Sequence, residues 1–176
     1  MNIAPDSPSR DDVRRLLDEH LTDMFATTPP ESVHALDHSA LLAPSITFWT
    51  ARDDDGTLLG CGALNELELP AETRQGEIKS MRTATHARGR GVASAVLETV
   101  LAEARRREYS RLSLETGSQD YFVPARRLYA RHGFLECGPF GNYPADPHSV
   151  FMTLELAEPQ PAEQPAERSA ERSAER

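Results

Sequence analysis

The residues best able to do chemistry crowd into one stretch, Thr-His-Ala-Arg-Gly-Arg-Gly-Val-Ala-Ser at positions 85–94. Two arginines, a histidine and two glycines separate a strand-like apolar run from a long helical pattern. In a chain of net charge -9, that local positive charge and backbone freedom point to an anion. Unpaired N–H groups and the dipole at a helix N-terminus attract one, and glycine lets backbone approach a phosphate closely. A dinucleotide site wants Gly-x-Gly-x-x-Gly or Ala. Gly89 and Gly91 fit that pattern, but the third position is Ser94. The upstream strand is also not the first of a βαβαβ series. A nucleotide-triphosphate loop is excluded because no Gly-Lys-Ser/Thr follows. Another template, Arg/Gln-x-x-Gly-x-Gly/Ala, is filled in register by Arg88, Gly91 and Ala93. An ordinary glycine-containing turn stands beside it as the plain alternative.

Upstream, "GEIKSMRT" carries Glu77 and Lys79. Strand alternation puts Glu77, Lys79, Met81 and Thr83 on one face. Glu77 reads either as a working carboxylate or as a solvated strand-end group paired with Lys79 or Arg82. His34 and His148 show no metal-ligand spacing, and Cys61 and Cys137 make neither a disulfide framework nor a metal cluster. No metal is expected.

The elements that must position these groups follow from periodicity. "SRDDVRRLLDEHLTDMF" reads as a helix with Ser9 as N-cap, Asp11 and Asp12 in the first turn, and Val13, Leu16, Leu17, Leu21, Met24 and Phe25 on one face. Pro29 and Pro30 end it, and Asp37 caps a short helix through Leu42. "SITFWTAR" and "TLLGCGALNEL" flank "DDDG", a hairpin signature. "GEIKSMRTAT" is a strand. Residues 92–108 form a helix with Val92, Val96, Val100 and Ala104 on one face. "YSRLSLET" is a strand, and "VPARRLYARHG" is a helix with Pro124 near its start and Gly133 just past its end. "GFLECG" and "SVFMTLEL" close the chain as strands. The order gives an α+β fold with one crossover unit in a largely antiparallel sheet.

Residues 1–157 are expected to form one domain. Residues 158–176, rich in Pro, Ala, Glu and Arg, cannot bury enough apolar surface to order and are expected to be a disordered tail. The acidic balance argues against nucleic-acid binding. No apolar run reaches membrane-spanning length and no export signal is visible, so a cytoplasmic protein is expected. The single lysine, Lys79, against eighteen arginines reads as genome composition rather than function.

The segments "MRTATHARGRGVASAVLETVLAEA", "RLSLET" and "ARRLYARHGF", in that order and spacing, resemble the GNAT acyltransferases from their fourth strand to their fourth helix. Ala125, Leu128, Tyr129, Gly133 and Phe134 carry the second distinctive block. The ending "ECGPFGNYPADPHSVFMTLEL" and "PPESVHALD" resemble a bacterial subgroup of that superfamily, so the likeness spans nearly all of residues 1–156. It implies a mixed, mostly antiparallel sheet splayed between its fourth and fifth strands and flanked by about four helices. It also implies acetyl-CoA as co-substrate and transfer of acetyl to an amine by direct attack in a ternary complex.

The resemblance distributes roles. Met81, Arg82 and Thr83 match backbone positions that bind the acetyl and pantetheine groups. Arg88, Gly89, Arg90, Gly91, Val92, Ala93 and Ser94 would wrap the pyrophosphate. Glu77 matches a general base of one branch, and Tyr129 matches the tyrosine that protonates the leaving thiolate. Phe122 departs from an asparagine common in the family, so the pantetheine contact is lost or is supplied by Gln119. Expected acceptor walls are the "PPESVHALD" loop, the hairpin around Phe48 and Trp49, and "FGNYPADPHS", with Ser32, His34, Asn142 and Tyr143 as polar candidates. The reaction expected is N-acetylation of a small molecule or peptide. A longer acyl donor and a non-catalytic acyl-CoA sensor are the alternatives, and Glu77 with Tyr129 favours an enzyme over a sensor. Edge strands in this fold commonly pair, so a homodimer is an open expectation.

Overall fold

A computed structural model describes residues 1–34, 36–68 and 74–156. The expected tail at 158–176 lies outside the described residues. The order is β1 (Asn2–Pro5), α1 (Asp11–Thr27), β2 (Ile46–Arg52), β3 (Leu58–Glu66), β4 (Gln75–Thr83), α2 (Val92–Arg106), β5 (Arg111–Gly117), α3 (Val123–Arg131), β6 (Leu135–Cys137) and β7 (Ser149–Glu155). The strands make one seven-stranded sheet ordered β1-β2-β3-β4-β5-β7-β6. Only β4 and β5 run parallel, because the α2 crossover joins them.

Three expectations are corrected. β1 was not foreseen; it is a short edge strand whose terminal Pro5 needs no ladder donor. The N-cap of α1 is Arg10 rather than Ser9, with no side-chain cap bond. The fourth helix is a single 3-10 turn, Ala40–Leu42, in which Asp37 still accepts the Ala40 N–H at 2.8 Å. Among the described residues, three α-helices therefore flank the sheet.

The α2 stripe packs as its spacing requires. Val92, Val96, Val100 and Ala104 are all buried, as are Leu97 and Leu101, each large side chain contributing about 1.5–3 kcal/mol. On α1 only Val13, Leu16 and Leu17 are buried, whereas Phe25 is 55% exposed.

Two local features open the site. The β4–β5 ladder runs from Gln75↔Arg111 to Ile78↔Leu114 and then stops, while Glu115–Gly117 pair only with β7. Lys79–Thr83 thus diverge from Glu115–Gly117. In addition, β4 bulges against β3, with Ala63 opposite Lys79 but Cys61 opposite Arg82. Ser80 takes φ 53 at that bulge. Gly62 makes the bulge possible, since a Cβ there would meet Met81 Sδ at 2.5 Å and Val96 Cγ1 at 2.7 Å. The extra residue flips the alternation. Met81 packs toward α2 and Arg82 turns to α1, so Glu77, Lys79 and Met81 do not share a face.

Candidate active site

A cavity of about 730 Å³ fills the splay. One half is built on the 85–94 stretch. A 3-10 turn at Thr85–Ala87 leads into Arg88, and Gly89 and Gly91 adopt φ 76 and φ 78. Those left-handed conformations suit glycine. A Cβ at either position would meet no atom within 4 Å, so the backbone borders open space. Gly91 is the N-cap of α2, and the first helical bond runs from Ala95 N to Gly91 O at 3.1 Å. The N–H groups of Val92, Ala93 and Ser94 therefore lack an intrahelical acceptor. Arg88, Gly89, Gly91, Val92, Ala93 and Ser94 line the cavity, as do Met81, Arg82 and Thr83. Arg90 does not: its guanidinium turns away to Asp53 at 2.8 Å. Arg88, Arg127 and Arg131 add positive charge to the wall. An open glycine cradle, free helix N–H groups and arginines suit a pyrophosphate.

Phe122 is buried and lines the cavity. The Gln119 side chain leaves the wall, with Nε2 3.4 Å from His148 Nδ1.

The other half collects side chains from α1, the following loop, β4 and β5. Ser32 and His34 line it. Trp49 does not, being buried in the core with Leu97 and Val100. Asn142 is exposed and off the cavity wall. Tyr143 stands one step behind the wall, where its hydroxyl donates to Glu77 Oε1 and its ring edge meets His34 at 5.1 Å.

Glu77 also sits behind the wall rather than on it. It is buried and pairs with the equally buried Lys79, whose Nζ lies 3.1 Å from Oε1. Lys79 spends its other contacts on Tyr143 Oη at 2.6 Å and the His34 carbonyl at 3.1 Å. The carboxylate expected to act as base is thus engaged in a buried ion pair.

Glu115, which sequence reasoning passed over, is the carboxylate on the wall. It is the first residue of β5 beyond the β4–β5 ladder, where the splay opens, and Ser149 Oγ donates to it at 2.7 Å. Burial pushes its carboxyl above the usual range, while Ser149, His34 and Lys79 pull it partly back. One signal could have found it: ligands gather outside the carboxyl ends of parallel strands, and Glu115 occupies that end of "RLSLET".

Tyr129 is buried, lines the cavity and packs its ring on Phe134 at 5.8 Å. Burial, with the charge of Glu115, holds its phenol well above the ordinary value. It remains protonated at neutral pH. On the α1 side, burial and Arg82 depress His20 to about 4, so it is neutral. Arg82 reaches across to Asp23 at 2.7 Å and Tyr121 Oη at 3.2 Å. Among the described residues no group of three or more His, Cys, Asp or Glu gathers to hold a metal. No helix among them is long and apolar enough to cross a membrane.

Comparison with known proteins agrees with this geometry. A family model described as the acetyltransferase (GNAT) family matches residues 12–134. The Bacillus subtilis (strain 168) protein named uncharacterized N-acetyltransferase YsnE is 51% identical over 156 residues, covering 89% of this chain and all of that one. An Azospirillum brasilense protein named IAA acetyltransferase is 41% identical over 159 residues, covering 89% and 98%. The crystal structure of a GNAT-family acetyltransferase from Staphylococcus aureus Mu50 superposes with a TM-score of 0.66 at 17% identity, covering 89% and 99% of the two chains.

Proposed function

The chain belongs to the acetyltransferase (GNAT) family and is an acyltransferase, and from that premise we propose that it moves acetyl from acetyl-CoA to the amine of a small molecule or peptide. The observation that carries the proposal is that Glu115 and Tyr129 line the same cavity. One is a carboxyl whose proton affinity burial has raised, and the other is a phenol that stays protonated.

Acetyl transfer to an amine needs alignment, removal of a proton from the amine and delivery of a proton to the departing thiolate. When bound, the coenzyme supplies an acetyl group already activated as a thioester. The chain's residues supply the rest. Arg88 and the 89–94 backbone hold the pyrophosphate end. The Met81–Thr83 backbone, whose edge toward β5 has no strand partner, holds the arm beneath it. Glu115 accepts the amine proton, since its raised proton affinity makes it a better base than an exposed carboxylate. Tyr129 donates from its hydroxyl. Lys79 and Tyr143 lock the Glu77 carboxylate, which makes Glu77 a support for the wall and not the base. Both cysteines are free thiols, in keeping with a reducing cytoplasm.

The test is calorimetric titration with CoA and acetyl-CoA, followed by a screen of amines for release of CoA thiol. Saturable binding and amine-dependent release are expected. No binding of either form would remove the donor, and binding without release for any amine would remove the transferase.

A further inference from the structure

Ser94, at the first turn of α2, faces the cavity and is hydrogen-bonded to a residue that does not. His132, the residue closing α3, places Nε2 3.1 Å from Ser94 Oγ. Its other ring nitrogen, Nδ1, lies 2.9 Å from the Leu128 carbonyl. A carbonyl only accepts, so Nδ1 carries a proton. In the neutral imidazole Nε2 is then bare and must accept from Ser94, whose single hydroxyl proton points away from the cavity. What Ser94 offers an incoming anion is a lone pair, which repels it.

Protonation of His132 reverses this arrangement. Nε2–H donates to Ser94 Oγ, and the hydroxyl proton swings free to donate into the cavity. We infer that His132 is a positioning residue for coenzyme binding, and that pyrophosphate at the 88–94 loop and a proton on His132 bind cooperatively through Ser94. This inference rests on the reading that the loop holds the coenzyme. Glu98 on α2 faces the same nitrogen, with Oε1 3.7 Å from Nε2. Arg131 precedes His132 in the chain and lines the cavity with Arg88 and Arg127, and a bound anion would offset their charge. The same bond ties the first turn of α2 to the end of the helix carrying Tyr129.

The test is calorimetric titration of the full chain with dephospho-CoA at pH 7, in buffers of different ionisation enthalpy. That probe keeps the pyrophosphate but lacks the 3′-phosphate monoester, which itself titrates near neutral pH. Wild type is expected to take up a fraction of a proton per ligand bound, with affinity falling as pH rises. His132→Gln, whose amide can still meet Ser94, is expected to bind with no proton uptake and nearly pH-independent affinity. Ser94→Ala should reduce the uptake while leaving His132 in place. Wild-type binding without uptake, or equal uptake in His132→Gln, would overturn the inference. Equal uptake in Ser94→Ala would overturn the relay through the hydroxyl. Failure of wild type to bind any CoA form would instead strike the functional reading itself.

Discussion

Arg88 to Ser94 shape one half of the cavity with a single run of backbone, whereas the other half takes Ser32 and His34 from a loop, Lys79 from β4 and Glu115 from β5. The halves also treat charge differently. In the first, Arg88, Arg127 and Arg131 have no carboxylate partner among the described residues, so the wall holds positive charge in reserve for a polyanion. In the second, Lys79 is matched by Glu77 and Arg82 by Asp23, and Glu115 is held only by a hydroxyl. The first half is built to attract, and the second to stay near neutral while one carboxyl moves a proton. Damage to the first should therefore appear as lost affinity, and damage to the second as lost turnover or lost stability.

The largest effect is expected at Tyr129, which belongs to the chemistry and to neither binding surface. Tyr129→Phe keeps the ring and its packing on Phe134 but removes the donor. Its kcat should fall by roughly 10²–10⁴, the usual worth of a placed general acid, with CoA affinity by calorimetry almost unchanged. Normal turnover in that variant would take the acid role from α3.

Next comes the buried pair. Lys79→Met leaves the Glu77 carboxylate buried with no cation, which should cost about 3–5 kcal/mol in denaturant unfolding. Glu77→Gln with Lys79→Met should recover much of that loss, because no uncompensated charge remains. If the single variant is as stable as wild type, the pair does not stiffen the acceptor half.

Glu115→Gln should lower kcat/KM by about 10² and erase the acid limb of the pH–rate profile. The limb exists because the base works ionised, and it lies above the ordinary carboxylate range because burial raises the folded-state pKa. The same shift has a stability sign. A carboxyl whose pKa is higher folded than unfolded destabilises the fold once pH exceeds the unfolded value. The glutamine variant should thus be slightly more stable at pH 7, with the difference shrinking toward pH 4. Glu77→Gln should leave the limb in place, and a limb lost there but kept in Glu115→Gln would exchange the two roles.

Contiguity also decided what could be read from sequence. The spacing of Arg88, Gly91 and Ala93 is local, so the loop and the α2 stripe behind it were visible before any fold. The acceptor half depends on what the fold brings together. Strand alternation placed Met81 with Glu77, and only the bulge at Ser80, permitted by Gly62 on the neighbouring strand, separates them. Trp49 looked like a pocket aromatic, but β2 turns it into the core, where it is buried with Leu97 and Val100 of α2. Lys79 passed as compositional noise, although a lone lysine among eighteen arginines is the cation that forms the buried pair. Its compact ammonium serves three acceptors at once, where a guanidinium would need a planar fork.

The smallest effect sets two arginines of one loop against each other. Arg88 and Arg90 are alike in sequence, each one residue before a glycine, yet Arg88 lines the cavity and Arg90 reaches the β2–β3 turn at Asp53. Arg88→Ala should weaken CoA binding about ten- to hundredfold, the 1.5–3 kcal/mol typical of a charge-assisted hydrogen bond, and should flatten the salt dependence of the dissociation constant. Arg90→Ala should leave the constant within about twofold, because it removes one exposed ion pair worth under about 1 kcal/mol. Equal losses in both variants would mean that the loop attracts its anion by summed charge rather than by a placed contact. Loss only in Arg90→Ala would mean that the guanidinium leaves Asp53 when the anion arrives, and the first half of the cavity would then rearrange on binding.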